Sequence, residues 1–107
     1  MNFGKTESDG RASQSGAIGG EPLPQRRSDI IYRTIEGETV ILNRNEGRLH
    51  QLNPTASFIW NCCDGTSKID EIVDRLANAY EIDFVTGRKD VEEVLSKLRS
   101  LNLLQVY

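Results

Sequence analysis

A chain of 107 residues has room for one domain, and its 13 basic against 16 acidic residues leave a net charge of −3. That balance argues against a general binder of nucleic acid or anionic membrane, either of which relies on a basic excess. No apolar run nears the ~20 residues that cross a bilayer, and the opening MNFGKTESDGRASQSG lacks the apolar stretch of a secretory signal.

Residues 1–29 are rich in Gly, Ser, Gln and charge, with Ile18 and Leu23 the sizeable aliphatics after Met1. So little apolar surface cannot offset an ordering cost of ~1–2 kcal/mol per residue, so the segment is expected to be a disordered tail. Gly19–Gly20 within it is read as flexible linker rather than as a double-glycine cleavage site. The folded domain is expected over 30–107.

Three short strands follow. IIYRTI (Ile30–Ile35) and TVILN (Thr39–Asn43) are rich in β-branched and aromatic residues, and Glu36–Gly37 makes a tight turn between them. RNEG (Arg44–Gly47) is a second turn, leading into Arg48–Leu52 as strand three. Connections this short make the neighbours antiparallel, so the sheet is a meander. Consecutive apolar residues, Ile30–Ile31 and Val40–Ile41–Leu42, blur the alternation and leave open which face of strand three is buried.

Three helices complete the chain. Asn53 is a good N-cap and Pro54 suits the first helical position, so helix one runs from Pro54 to Cys63, straight out of strand three. Ala56, Ile59, Trp60 and Cys63 form its apolar stripe, and Asp64–Gly65 ends it. Helix two begins after Thr66 or Ser67, with Ser67 as cap and Asp70 at N3. It buries Ile69, Ile72, Val73, Leu76, Ala77 and Tyr80. Helix three covers Arg88–Leu101 with Thr86 as cap, and turns Val91, Val94, Leu95, Leu98 and Leu101 inward. Leu103–Tyr107 is a short extended end. Three strands followed by three helices make a small α+β domain.

Chemistry-bearing residues are few. His50 is the single histidine, so no Cys–His or Ser–His arrangement extends beyond one candidate. The adjacent Cys62 and Cys63 lack the spacing of a zinc site or a Cys-X-X-Cys redox motif. They read as small core residues of a reduced, cytoplasmic protein. Asp70, Glu71, Asp74, Glu92 and Glu93 belong to solvated helix faces, no cluster suggests a metal, and no glycine loop suits a phosphate. The inventory predicts a small domain that is not an enzyme and needs no cofactor or metal.

GRLHQLNPTASFIWNCCDGTSKIDEIVDRLANAY, followed by DVEEVLSKLRSLNLL, closely resembles the PqqD-like family of peptide chaperones, also called RiPP precursor-peptide recognition elements. The resemblance rests on Leu52–Asn53, Thr55–Ala56, Ile59–Trp60, Asp64–Gly65 and the amphipathic stretch Ile69–Leu76, and spans Ile30 to Leu104. It implies three antiparallel strands packed on three helices, similar to a winged helix-turn-helix. It also implies binding of the leader segment of a ribosomally made precursor, which adds as a strand to strand three and lies in a groove against helix three. A modifying enzyme would be the second partner: a radical SAM protein in a pyrroloquinoline quinone pathway, or a leader peptidase or other maturase in a lasso or thioether-peptide pathway.

The expected peptide-binding residues are Arg48, Leu49, His50, Gln51 and Leu52 on strand three, and Asp90, Val94, Lys97 and Leu98 on helix three. A winged-helix DNA-binding regulator is the alternative. Helix three sets Asp90, Glu92 and Glu93 against Arg88, Lys89, Lys97 and Arg99, a near-neutral helix poorly suited to phosphate contact. Neither nucleic acid nor membrane is therefore an expected partner.

Overall fold

The structure is a computed structural model that describes residues 23–105. Strands β1 (Ile31–Ile35), β2 (Glu38–Asn43) and β3 (Arg48–Leu52) form one antiparallel sheet in that spatial order, followed by helices α1 (Pro54–Cys62), α2 (Ile69–Tyr80) and α3 (Phe84–Ser100). The meander and the α+β architecture are those the sequence predicts. Glu36 and Gly37 both take positive φ, 51° and 81°, the backbone that lets a two-residue turn follow the natural twist of a hairpin.

Burial settles the faces of the sheet. Thr39, Ile41 and Asn43 of β2 are buried, and their partners Leu52, His50 and Arg48 share that inner face. The outer face carries Ile31, Ile35, Val40 and Leu49, all exposed. The core lies between the inner face and the helices. Ile41 from β2 joins one cluster with Ile59 and Trp60 from α1, Cys63 at its C-cap, Ile72, Val73 and Leu76 from α2, and Val91, Leu95 and Leu98 from α3.

Most element ends fall within one residue of those expected, and three differences have a physical reason. α2 starts one residue later, because Glu71 rather than Asp70 sits at N3 and accepts from the Lys68 backbone N–H at 2.7 Å. Asp70 is instead paired with Arg88 of α3. α3 starts four residues earlier than expected, at Phe84. Asp83 is its cap, accepting from the Thr86 N–H at 2.8 Å, and Gly87 lies buried inside the helix. A Cβ at Gly87 would lie in ordinary van der Waals contact with Val73 Cγ1 at 3.5 Å and Ala77 Cβ at 3.7 Å, so this turn of α3 packs directly against α2.

The third difference is the tail. Residues 1–22 lie outside the described residues, but the remainder of the expected tail is docked as a strap. The Arg26 N–H donates to Cys63 O at 2.9 Å, the Arg27 N–H to Leu103 O at 3.1 Å, and the Gly65 and Gln105 N–H groups donate back to Pro24 O and Gln25 O at 2.9 and 2.8 Å. The strap thus ties the end of α1 to the chain after α3. Arg26 also lies over the rings of Tyr32 and Trp60, 5.2 and 5.9 Å from their centroids, and donates from Nη1 to Trp60 O at 2.9 Å. The order comes mainly from main-chain bonds, the stacked Arg26 and a bond from Arg27 Nη1 to Asn102 O at 3.1 Å, with Pro24 buried beneath them.

Candidate functional site

The junction of β3 and α1 is built by two side chains. Asn53 caps α1, its Oδ1 accepting from the Ala56 N–H at 2.8 Å. Ser57, buried in the first turns of α1, places its hydroxyl between Thr39, near the start of β2, and Leu52, the last residue of β3. It accepts from the Thr39 N–H at 2.9 Å and donates to Leu52 O at 3.2 Å. Strand β3 is thereby locked to α1 and to β2 at its C-terminal end.

That bridge also sets the polarity of the edge. Thr39 and Leu52 are register partners whose N–H and C=O turn toward each other with the Ser57 hydroxyl between them. Main-chain direction alternates along an antiparallel strand, so His50 and Arg48 likewise turn theirs toward Ile41 and Asn43. Leu49 and Gln51 turn their N–H and C=O outward. Among the described residues no strand lies beyond β3, so these groups form an open edge.

Side chains on β3 divide accordingly. Leu49 is 70% exposed on the outer face, and Gln51 beside it donates from Nε2 to Glu38 Oε1 at 3.0 Å. Arg48 is exposed, His50 half-buried and Leu52 buried on the inner face. The imidazole Nε2 of His50 is buried without a hydrogen-bond partner.

On α3, Arg88 pairs with Asp70 of α2 and with Glu92, which marks the flank that faces α2. Helical spacing puts Asp90, Val94, Lys97 and Leu101 on the opposite flank. Val94 and Leu101 are half-buried against the core, Asp90 is half-buried, and Lys97 is exposed. Leu98 does not belong with them. It is 1% exposed and spent in the core, about 100° around the helix from Lys97, so it offers no surface to a ligand. Leu101, which apolar spacing assigns to the core, is half-buried and shares this flank. The Asn102 amide, just past α3, donates to Glu46 Oε2 at 3.2 Å and holds this end of the helix to the β2–β3 turn.

The titratable groups have structural work. Hydrogen bonds from Thr86 hold the Asp83 carboxyl below its ordinary range, those from Thr66 do the same for Asp64, and Arg27 does so for Asp29. Burial pushes the Cys63 thiol up to about 12, far from a reactive thiolate. Among the described residues, no three His, Cys, Asp or Glu side chains gather as a metal site would require, and no helix is long and apolar enough to cross a membrane.

The family described as coenzyme PQQ synthesis protein D (PqqD) matches residues 38–104. The chain belongs to the PqqD family. No curated protein matches it. Among solved structures, TbiB1 in complex with the TbiA(beta) leader peptide is 26% identical, with a TM-score of 0.71 over 78% of this chain and 96% of that one. A lasso peptide synthetase B1 complexed with its leader peptide is 19% identical, with a TM-score of 0.70 over 78% of this chain and 99% of that one. The PqqD part of Methylobacterium extorquens PqqCD, a stand-alone recognition element for ribosomally synthesised and modified peptides, is 20% identical. Its TM-score is 0.66 over 85% of this chain and 96% of that one. The PqqD match begins at Glu38, the first residue of β2, and so leaves out β1 and the strap.

Proposed function

We propose that this PqqD-family chain is a non-catalytic recognition element that binds the leader segment of a ribosomally made precursor peptide and presents it to a modifying enzyme. The observation that carries the reading is the open β3 edge. Leu49 and Gln51 offer main-chain donors and acceptors outward, while Ser57 and Asn53 hold the strand rigid from behind. An extended peptide adds to such an edge through main-chain bonds, and the flanking side chains select its sequence.

The proposed site comprises Arg48, Leu49, His50 and Gln51 with Asp90, Val94, Lys97 and Leu101. Leu52 anchors the strand from the core rather than touching the ligand. The complex of TbiB1 with a leader peptide supports this use of the fold. The second partner is a maturase, such as a radical SAM protein or a leader peptidase. The setting is the cytoplasm, where precursor peptides are made and where free thiols such as Cys62 and Cys63 stay reduced.

The test is titration of the chain with the synthetic leader of the precursor encoded beside its gene, and separately with duplex DNA, each at two salt concentrations. Leader binding that changes little with salt, and no DNA binding, is the expected result. DNA binding that collapses as salt rises, with no leader binding, overturns the reading.

A further inference from the structure

The outer face of the sheet holds an apolar row that stops at the open edge. Ile31 of β1 is the register partner of Leu42 of β2, and Leu42 is the partner of Leu49 of β3. Ile31 is 48% exposed, Leu42 half-buried and Leu49 70% exposed, so exposure is greatest where the sheet ends. Edge strands are ordinarily blunted with charge at such positions. The other outer-face residue of this edge, Gln51, is polar and held by Glu38. Leu49 is thus an aliphatic side chain beside an outward N–H and C=O, with apolar neighbours on one side and, among the described residues, no strand on the other.

Resting on the peptide-binding reading above, we infer that Leu49 is a specificity residue: the bound leader places an aliphatic side chain beside it on the outer face, extending the row Ile31–Leu42–Leu49 to a fourth strand. The reason is the pleat. A strand added to β3 alternates its side chains between the two faces. The residue opposite Leu49 falls on the outer face, the next one, opposite His50, turns to the inner face, and the one after, opposite Gln51, returns to the outer face beside a polar side chain held by Glu38. Directly opposed side chains in neighbouring strands lie about 4.5–5.5 Å apart at Cβ, within contact of two aliphatic groups. The ligand class is therefore an extended leader segment with an aliphatic residue at the Leu49 position and a polar one two residues away. Leader selection then uses both faces of the sheet rather than the groove alone.

The experiment titrates the full chain with the fluorescein-labelled synthetic leader of the neighbouring precursor, together with a serine scan of that leader. Leu49→Thr keeps strand propensity while removing the aliphatic contact, and Leu49→Ile keeps the contact. Leu49→Thr is expected to weaken binding roughly three- to tenfold with an unchanged melting temperature, and Leu49→Ile to bind within about twofold of the parent. One serine substitution in the leader should lose its effect when combined with Leu49→Thr, which identifies the opposed residue.

Unchanged binding by Leu49→Thr, or equal losses across the whole serine scan, overturns the inference. If Gln51→Pro abolishes binding while Leu49→Thr does not matter, strand addition stands and this proposal falls. If neither variant matters, the reading of the edge falls with it. A Leu49→Thr chain that binds leader normally but self-associates less in sedimentation assigns the row to a second copy, which also overturns it.

Discussion

Helix α1 and strand β3 are consecutive in the chain and held in opposite ways. α1 is capped by Asn53, pinned by Ser57 to the ends of two strands, and clamped at its C-terminal end by the strap through Cys63 O. Its Ile59 and Trp60 are fully buried. β3 is fixed at Leu52 and paired with β2 along one side only, leaving Arg48 to Gln51 at an open edge. The difference shows how a small domain keeps an edge both available and rigid. The element next in sequence carries the restraint, so the edge needs no cover of its own.

The sharpest way to break the contrast is to loosen the held side. Trp60→Ala removes a fully buried ring packed edge-on against Tyr32 at 5.3 Å. The expected loss is ~3–5 kcal/mol, a large share of the ~5–15 kcal/mol typical of a domain. Chemical denaturation measures it, and a loss under ~1 kcal/mol would mean that the ring is not part of the core. Ser57→Ala comes next. It strands the buried Thr39 N–H, at an expected cost of about 1–3 kcal/mol in the same assay.

Two proline variants set the held and open sides of β3 against each other. His50→Pro deletes an N–H that faces Ile41 of β2 and drives its ring into that pairing. The melting temperature should fall by 4 °C or more, the equivalent of roughly 1 kcal/mol in a domain of this size. Gln51→Pro deletes an outward N–H, which an edge strand tolerates. The fold should survive and leader affinity should drop by more than ~1 kcal/mol, about fivefold. Melts and peptide titration on both variants decide the matter, and normal leader binding by a folded Gln51→Pro chain would exclude strand addition at this edge.

The junction between these two regions is legible in the sequence because Asn53 and Pro54 act locally: a side-chain cap and a residue with no N–H to satisfy. So is the meander, from turns too short to allow any other pairing. The face of β3 is not legible, since Val40, Ile41 and Leu42 suit either side, and packing of Ile41 and Leu52 against the helices settles it. The start of α3 is hidden for a similar reason. Phe84 and Val85 are exposed apolar residues before a glycine, a loop-like string whose helical state depends on the Asp83 cap and on Gly87 packing against α2. Leu98, beside Lys97 in the sequence, reads as part of the site but lies in the core, because one residue along a helix turns the side chain by about 100°. The strap leaves no trace in composition, because backbone groups and two arginines, Arg26 and Arg27, hold it.

The strap gives a milder test of how α1 is held. Deleting residues 1–29 removes the four main-chain bonds around Pro24 to Arg27 and the Arg26 stack, whereas deleting 1–22 leaves them in place. The longer deletion should melt several degrees below the shorter one, corresponding to about 1 kcal/mol. Equal melting temperatures would mean that the docked segment contributes nothing to the restraint on α1.

The smallest effect concerns Cys63, at the C-cap of α1. Its thiol is buried, donates to Ile59 O at 3.2 Å, and is pushed by desolvation from 9.0 up to about 12. A folded-state pKa above the unfolded value means that the native state holds its proton more tightly. The stability so gained is fully present below the unfolded pKa near 9 and is lost as pH rises through about 12. Stability should therefore be insensitive to this group at neutral pH and decline across that alkaline window, more steeply in the parent than in Cys63→Ala. The same burial should keep the thiol from reacting with an aromatic disulfide reagent except during opening of the fold. Loosening α1 with Ser57→Ala should speed that labelling, and Gln51→Pro at the open edge should leave it unchanged. Faster labelling in Gln51→Pro would show that β3 and α1 are not restrained independently, and the contrast between them would fail.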